Sequence, residues 1–313
     1  MASANSIIYA GNKPYFVDIN SHSLNIDIEK YRDAVEFNEI KALIAVHYAG
    51  NTADFIEISN ISKSKNIYVI EDAAHALGAE YESGEKVGSC KYSVMTVFSF
   101  HPVKSITTGE GGMITTNSET FYRKLLRLRS HGINKQNDEL ENVFESKSNL
   151  IQNPWYYEMQ ELGFHYRLTE IQAALGLSQI RKITKFMKMR SQIANFYDES
   201  FKHEELFSTA ITKVEGVSAN HLYPLIINFE KLAAGRATIL NKLKSEGVGT
   251  QVHYIPIPMH PYYRKLGFDV FNYPNSLKYY YSCLSIPIYP GLTANKTRKV
   301  SKIIKRIINE YKI

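Results

Sequence analysis

An α/β fold on a mainly parallel sheet is what this chain predicts, and three observations predict it. Short β-branched runs recur through its amino-terminal part, helical patterns lie between them, and 44% of its 313 residues are hydrophobic, enough to bury a core. The runs are Tyr15-Phe16-Val17, Ala42 to Val46, Ile67 to Ile70, Val94 to Phe98 and Met113 to Thr116. Their alternation with helices is the pattern of crossover units.

Each element follows in order. Ile56, Ile58 and Ile61 with polar neighbours predict a covering helix, and Glu119 to Arg129 a second one, with Phe121, Leu125 and Leu128 on one face and His131-Gly132 as its stop. Residues Asn134 to Asn153 are polar and aperiodic and end at Pro154, so they read as a long loop. Helical periodicity then runs from Leu168 through Phe201, giving two long helices. Beyond them the chain offers Tyr223 to Phe229 as a strand, Leu232 to Ser245 as a helix ending at Gly247, and Thr250 to Tyr254 as another strand. The final helix places Val300, Ile303, Ile304, Ile307, Ile308 and Tyr311 at spacings of 3, 4 and 7, with Lys299, Lys302, Lys305 and Arg306 between. A core-packed helix with a solvated basic face is the expectation there. The division expected is a large domain over 1–205 and a small one over 206–313.

Composition excludes several classes. The net charge of +6 is spread along the chain, which permits attraction to anions but gives no nucleic-acid stripe. Cys90 and Cys283 are far apart and in no ligand spacing, so no disulfide framework or metal site is expected, and a reducing cytoplasm fits. No apolar run reaches the roughly 18 residues of a membrane span, and Met1 to Ile8 has no signal-peptide pattern.

The densest chemistry begins where the apolar run Ile67 to Ile70 meets Glu71-Asp72-Ala73-Ala74-His75. Ligand sites in open α/β sheets lie at the carboxyl ends of strands, so Asp72 stands where a ligand would; alone it reads equally as a carboxylate capping the next turn. Further on come Phe98-Ser99-Phe100-His101-Pro102-Val103-Lys104 and Thr107-Thr108-Gly109-Glu110-Gly111-Gly112. A lysine in such a passage can be desolvated toward neutrality, the state an amine needs to form a Schiff base with an aldehyde cofactor. Ser99 could donate to a phosphate. Asp72 would supply the carboxylate that keeps a pyridine nitrogen protonated, so together they suggest pyridoxal phosphate chemistry.

These motifs resemble the DegT/DnrJ/EryC1/StrS sugar aminotransferases. Leu128-Arg129-Ser130-His131-Gly132, Gly163-Phe164-His165-Tyr166-Arg167-Leu168-Thr169-Glu170 and Gln251-Val252-His253-Tyr254-Ile255-Pro256-Ile257 continue the resemblance in order over essentially the whole chain. It implies the type I aminotransferase fold, a three-layer αβα large domain with a small carboxy-terminal α/β domain. It also implies Lys104 as the Schiff-base lysine and proton carrier, Asp72 as partner of the pyridine nitrogen, His75 near the cofactor's ring oxygen, and Ser99 on its phosphate. Gln251, Val252, His253 and Tyr254 fall on a segment that contacts the nucleotide sugar in the branch serving pseudaminic acid or related biosynthesis. The implied reaction moves an amino group, with glutamate as donor, to C4 of a UDP-linked 4-keto-6-deoxy-N-acetyl-hexosamine, in a homodimer with shared active sites. The alternatives are another ketosugar substrate within the family, or an inactive remnant that binds sugar nucleotide or pairs with an intact subunit.

Two departures stand out. The family usually has asparagine before Tyr166-Arg167, reaching the neighbouring subunit's cofactor and substrate phosphates; this chain has His165, whose imidazole can also donate a hydrogen bond. Met1 to Gly11 resembles an internal helix of the family, so an amino-terminal truncation is expected, removing a Gly-Thr turn that holds the cofactor phosphate.

Overall fold

The computed structural model describes residues 1–135, 140–148, 151–212 and 214–313. A four-stranded sheet is built from β1 (Ala42–Val46), β2 (Tyr68–Asp72), β3 (Met95–Ser99) and β4 (Gly112–Thr115), adjacent in that order. The first three are parallel, with Val46 beside Asp72 and Asp72 beside Val97. β4 runs antiparallel to β3, and Ser99 faces Gly112. This register brings the carboxyl ends of β1, β2 and β3 to one edge of the sheet.

The crossover helix between β1 and β2, Phe55–Ser64, starts where the Asp54 side chain accepts the Glu57 amide. It turns Phe55, Ile58 and Ile61 into a core shared with Tyr31, Val69 and Phe98. The helix Glu119–Leu128 is capped by Ser118 and ends at His131 and Gly132, both with positive φ. A Cβ at Gly132 would stand 1.7 Å from the Glu161 carbonyl oxygen, so only glycine fits.

A second, antiparallel sheet has Tyr223–Ile227 at its centre, flanked by Cys283–Ile286 and Phe207–Thr209. Helices Ile183–Phe201, Arg236–Ser245 and Ala294–Glu310 pack around it through Tyr197, Leu225, Leu243, Ile304 and Ile307, all fully buried. The last helix behaves as its spacing predicts. Val300, Ile303, Ile304, Ile307 and Ile308 are buried, while Lys305 and Arg306 on the outer face pair with Glu204 and Glu246.

The structure departs from the sequence expectations in four places. Tyr15-Phe16-Val17 forms no strand, because Phe16 packs instead among the rings of Tyr263, Phe268 and Tyr273. The helix expected from Leu232 begins at Arg236; the residues before it run beside the carboxyl terminus, where Ala233 donates to the Tyr311 carbonyl. Thr250 to Tyr254 is no strand and makes one bridge, Gln251 with Ser285. Within the expected loop from 134 to 153, residues 136–139 and 149–150 lie outside the described residues; the rest includes a helical turn, Val143–Ser146, and two-residue strands at Lys147–Ser148 and Ile151–Gln152. Among the described residues no helix is long and apolar enough to cross a membrane.

Candidate active site

The carboxyl edge of the first sheet gathers the polar groups. Asp72 ends β2, and its two carboxylate oxygens are held separately: Oδ1 accepts the Ala74 amide at 3.1 Å and Oδ2 the Ser3 hydroxyl at 2.7 Å. Lys104 lies in the turn after β3, where its amide donates to the His101 carbonyl at 2.9 Å. Burial lowers the pKa of its amine, an effect that the Asp72 carboxylate partly offsets. Ser99, the last residue of β3, accepts the His101 amide at 3.4 Å.

His75 closes this group from one side. It is buried, its Nε2 lies 3.3 Å from the Tyr254 hydroxyl, and its ring stacks on that of His221 with centroids 4.5 Å apart. Burial, reinforced by Lys104 and His253, pushes its pKa down to about 3, so the ring is neutral at physiological pH. Burial likewise lowers His221.

Behind Asp72, on the opposite face of β2, Glu71 is fully buried. Burial alone would raise its pKa, but donors outweigh it: His47 Nε2 at 2.8 Å, with Ser93 and Tyr81, holds the carboxyl below the usual range. The His47 amide also donates to the Asp72 carbonyl at 3.0 Å, so this cluster fixes the backbone of the strand end.

Residues 251–254 approach from the second sheet. Gln251 exchanges two main-chain hydrogen bonds with Ser285, and His253 Nδ1 lies 2.9 Å from the Ser285 hydroxyl. Val252 packs beside the buried Leu24, Tyr279 and Cys283. His253 is close enough to Lys104 for the amine to depress its pKa, though burial does more. Asp72, His75, Lys104, His253 and Tyr254 therefore converge. His165 has other neighbours, with Arg167 Nη2 at 2.7 Å from its Nε2 and the His131 ring 5.3 Å away.

Sequence reading missed Ser3, Tyr48 and His221. Tyr48 had a usable signal, its place just past the carboxyl end of β1. His221 had none, since only tertiary packing brings it to His75.

The profile of the DegT/DnrJ/EryC1/StrS aminotransferase family matches residues 1–305. An uncharacterized protein of Methanocaldococcus jannaschii is 40% identical over 310 residues, covering 99% of this chain and 77% of its own. The UDP-4-amino-4,6-dideoxy-N-acetyl-beta-L-altrosamine transaminase of Campylobacter jejuni is 37% identical, again with 99% and 77% covered. Among solved structures, Helicobacter pylori PseC, an aminotransferase involved in the biosynthesis of pseudoaminic acid, superposes with a TM-score of 0.87 at 30% identity, covering 99% of this chain and 77% of that one. A Streptococcus pneumoniae protein in its PLP-form gives 0.83 at 26% identity, with 99% and 78% covered. The chain belongs to the DegT/DnrJ/EryC1/StrS aminotransferase family, whose members are pyridoxal phosphate-dependent sugar aminotransferases.

Family membership implies pyridoxal phosphate. The residues present fit that group: a carboxylate at a strand end, an amine with a lowered pKa beside it, and a buried imidazole, His75, whose Nδ1 has no partner among the described residues.

Proposed function

We propose that this enzyme exchanges the amino group of glutamate for the C4 oxygen of a UDP-linked 4-keto-6-deoxy-N-acetyl-hexosamine, in pseudaminic acid or related nucleotide-sugar biosynthesis. Glutamate leaves as 2-oxoglutarate, and the ketone carbon becomes an amine-bearing CH. The observation that carries the reading is the convergence of Lys104, Asp72 and His75 with Tyr254 from the 251–254 segment. The Campylobacter jejuni relative, named for an altrosamine transaminase, supports the sugar.

When bound, pyridoxal phosphate supplies the electron sink that makes the substrate's α-hydrogen removable. Asp72 would hold the pyridine nitrogen, His75 the ring oxygen, and Ser99 the phosphate. Lys104 would anchor the cofactor covalently and then, as a free amine, carry the proton to and from the substrate carbon; its lowered pKa suits both tasks. Gln251, Val252, His253 and Tyr254 would face the sugar nucleotide.

A cytoplasmic homodimer with shared sites completes the proposal. The helix Glu170–Ile180 buries none of its residues, and Ile171 is 84% and Leu177 61% exposed; Leu162 and Tyr166, shortly before it in the chain, are exposed as well. So much exposed apolar surface suits a second copy, and His165 stands between the exposed Phe164 and Tyr166 in the chain. On this reading the first core and cofactor bed belong to a domain of 1–205 and the second sheet to one of 206–313.

The test is incubation with pyridoxal phosphate, glutamate and the UDP-ketosugar, with mass analysis of the sugar product. A UDP-4-amino sugar formed in step with 2-oxoglutarate is expected. Sugar-nucleotide binding without turnover, or faster turnover of a different ketosugar, would overturn the assignment.

A further inference from the structure

Tyr48 occupies a junction between the two sheets. It follows His47 just past the end of β1, whose neighbour β2 carries Asp72. Its hydroxyl lies 2.7 Å from the carbonyl oxygen of His253 and 2.6 Å from the hydroxyl of Tyr279, in the helix Pro274–Ser282. A carbonyl oxygen can only accept, so the single Tyr48 proton goes to His253. Tyr279 must therefore donate to the Tyr48 oxygen. The relay has one direction, from Tyr279 through Tyr48 to the His253 carbonyl. Burial raises the pKa of both phenols, so neither loses its proton near neutrality.

The consequence concerns the segment that carries Tyr254. Gln251 and the His253 ring are tied to Ser285 of the second sheet. The Tyr48 bond ties the same segment to the first sheet, and Tyr254 then meets His75, three residues past Asp72. We propose that Tyr48 and Tyr279 are positioning residues for sugar-nucleotide recognition, acting by setting the place of His253 and Tyr254 over the cofactor bed. This rests on the assignment of residues 251–254 to the sugar nucleotide.

Tyr48→Phe, Tyr279→Phe and the double variant, as holoenzymes, test it. Tyr48→Phe leaves the His253 carbonyl without its donor, and KM for the UDP-ketosugar should rise about 10-fold, while KM for glutamate and kcat change less than about 3-fold. Tyr279→Phe should give about 3-fold, because Tyr48 still donates. The double variant should match Tyr48→Phe, since the second link has no acceptor once Tyr48 is lost; independent effects would multiply to about 30-fold. Without any sugar nucleotide, amide exchange in a peptide spanning 251–255 should speed up about 10-fold in Tyr48→Phe, with the melting temperature nearly unchanged.

Wild-type turnover together with unchanged KM and exchange in Tyr48→Phe would overturn the inference and leave the proposed reaction standing. An equal rise in KM for glutamate, or multiplying effects in the double variant, would also overturn it. Failure of the wild type to bind or convert any UDP-sugar, with exchange still accelerated in the variant, would instead overturn the substrate assignment and the recognition role with it.

Discussion

His75 and His221 stack with ring centroids 4.5 Å apart and planes inclined by 28°, although one follows β2 of the first sheet and the other precedes the central strand of the second. Close backbone fit makes the stack possible. The His221 amide donates to the Ala49 carbonyl at 2.8 Å, and a Cβ at Gly50, which has φ +98°, would stand 3.0 Å from the His221 nitrogen. Both Nδ1 atoms are buried without partners among the described residues.

A pH dependence follows from this pair. Burial, with Lys104 and His253, lowers the His75 pKa from 6.5 to about 3, and burial lowers His221 as well. The unfolded chain therefore binds protons below about 6.5 that the folded chain refuses, so stability is full above that pH and falls as the pH drops toward 3. His75 alone would lose at most about 1.4 kcal/mol per pH unit in that window. His221→Phe keeps a stacked ring but removes one proton acceptor. Melting temperatures between pH 7.5 and 4.5 should fall less steeply in the variant; parallel curves would sink the idea.

Lys104 should carry the covalent chemistry. Its amine is half-buried and its pKa lowered, so it reacts with an aldehyde nearer neutrality than a surface lysine does. Borohydride reduction with pyridoxal phosphate at pH 7.5 should add the pyridoxyl mass to the peptide containing Lys104. Lys104→Ala should cost at least about 10³-fold in turnover yet shift stability by less than about 1 kcal/mol, since the side chain supports no core. A label on Lys86 or Lys91 with Lys104 untouched would refute the assignment.

Arg190 should be structural, and strongly so. It is buried, and its Nη1 donates to the carbonyls of Asn220, His221 and Ile288 at 3.1, 3.2 and 2.9 Å. Burial lowers its pKa only to about 10, so it stays charged at neutral pH. Arg190→Met strands three carbonyls and should cost about 2–4 kcal/mol in denaturant unfolding. Arg190→Lys should recover less than half of that, because the lysine nitrogen ends one bond short of Nη1, the single atom that makes all three contacts. A loss under about 1 kcal/mol for Arg190→Met would contradict this role.

How much of this was legible in the sequence depended on range. The strands ending at Asp72 and Ser99 were readable because apolar runs feed directly into polar residues, and local spacing suffices for that. The final helix was readable for the same reason. Tyr15 to Val17 misled because a β-branched or aromatic run does not say whether its side chains will meet a sheet or a cluster of rings. Thr250 to Tyr254 misled similarly: its one bridge to Ser285 and its bond from Tyr48 are long-range contacts that no local pattern encodes. The stacking of His221 on His75 belongs to the same class.

The last prediction concerns His165. It keeps company with His131 and Arg167, shortly before the helix Glu170–Ile180, which buries none of its residues. If that helix joins two copies so that each His165 completes the other copy's site, then His165→Ala and Lys104→Ala damage different halves of a shared site. Each homodimer would be weak, but a mixed dimer pairs an intact Lys104 bed in one subunit with an intact His165 from the other. Random mixing makes about half of the dimers hybrid, each with one working site, so activity should recover to about one quarter of wild type by simple counting. Co-expression with two different affinity tags isolates the hybrid, and its turnover per dimer should approach half that of wild type. His165→Asn should keep activity by itself, since the amide also donates, whereas alanine cannot. A hybrid no more active than either parent, or a wild-type protein that sediments as a monomer at working concentration, would show that His165 does not act across a subunit boundary.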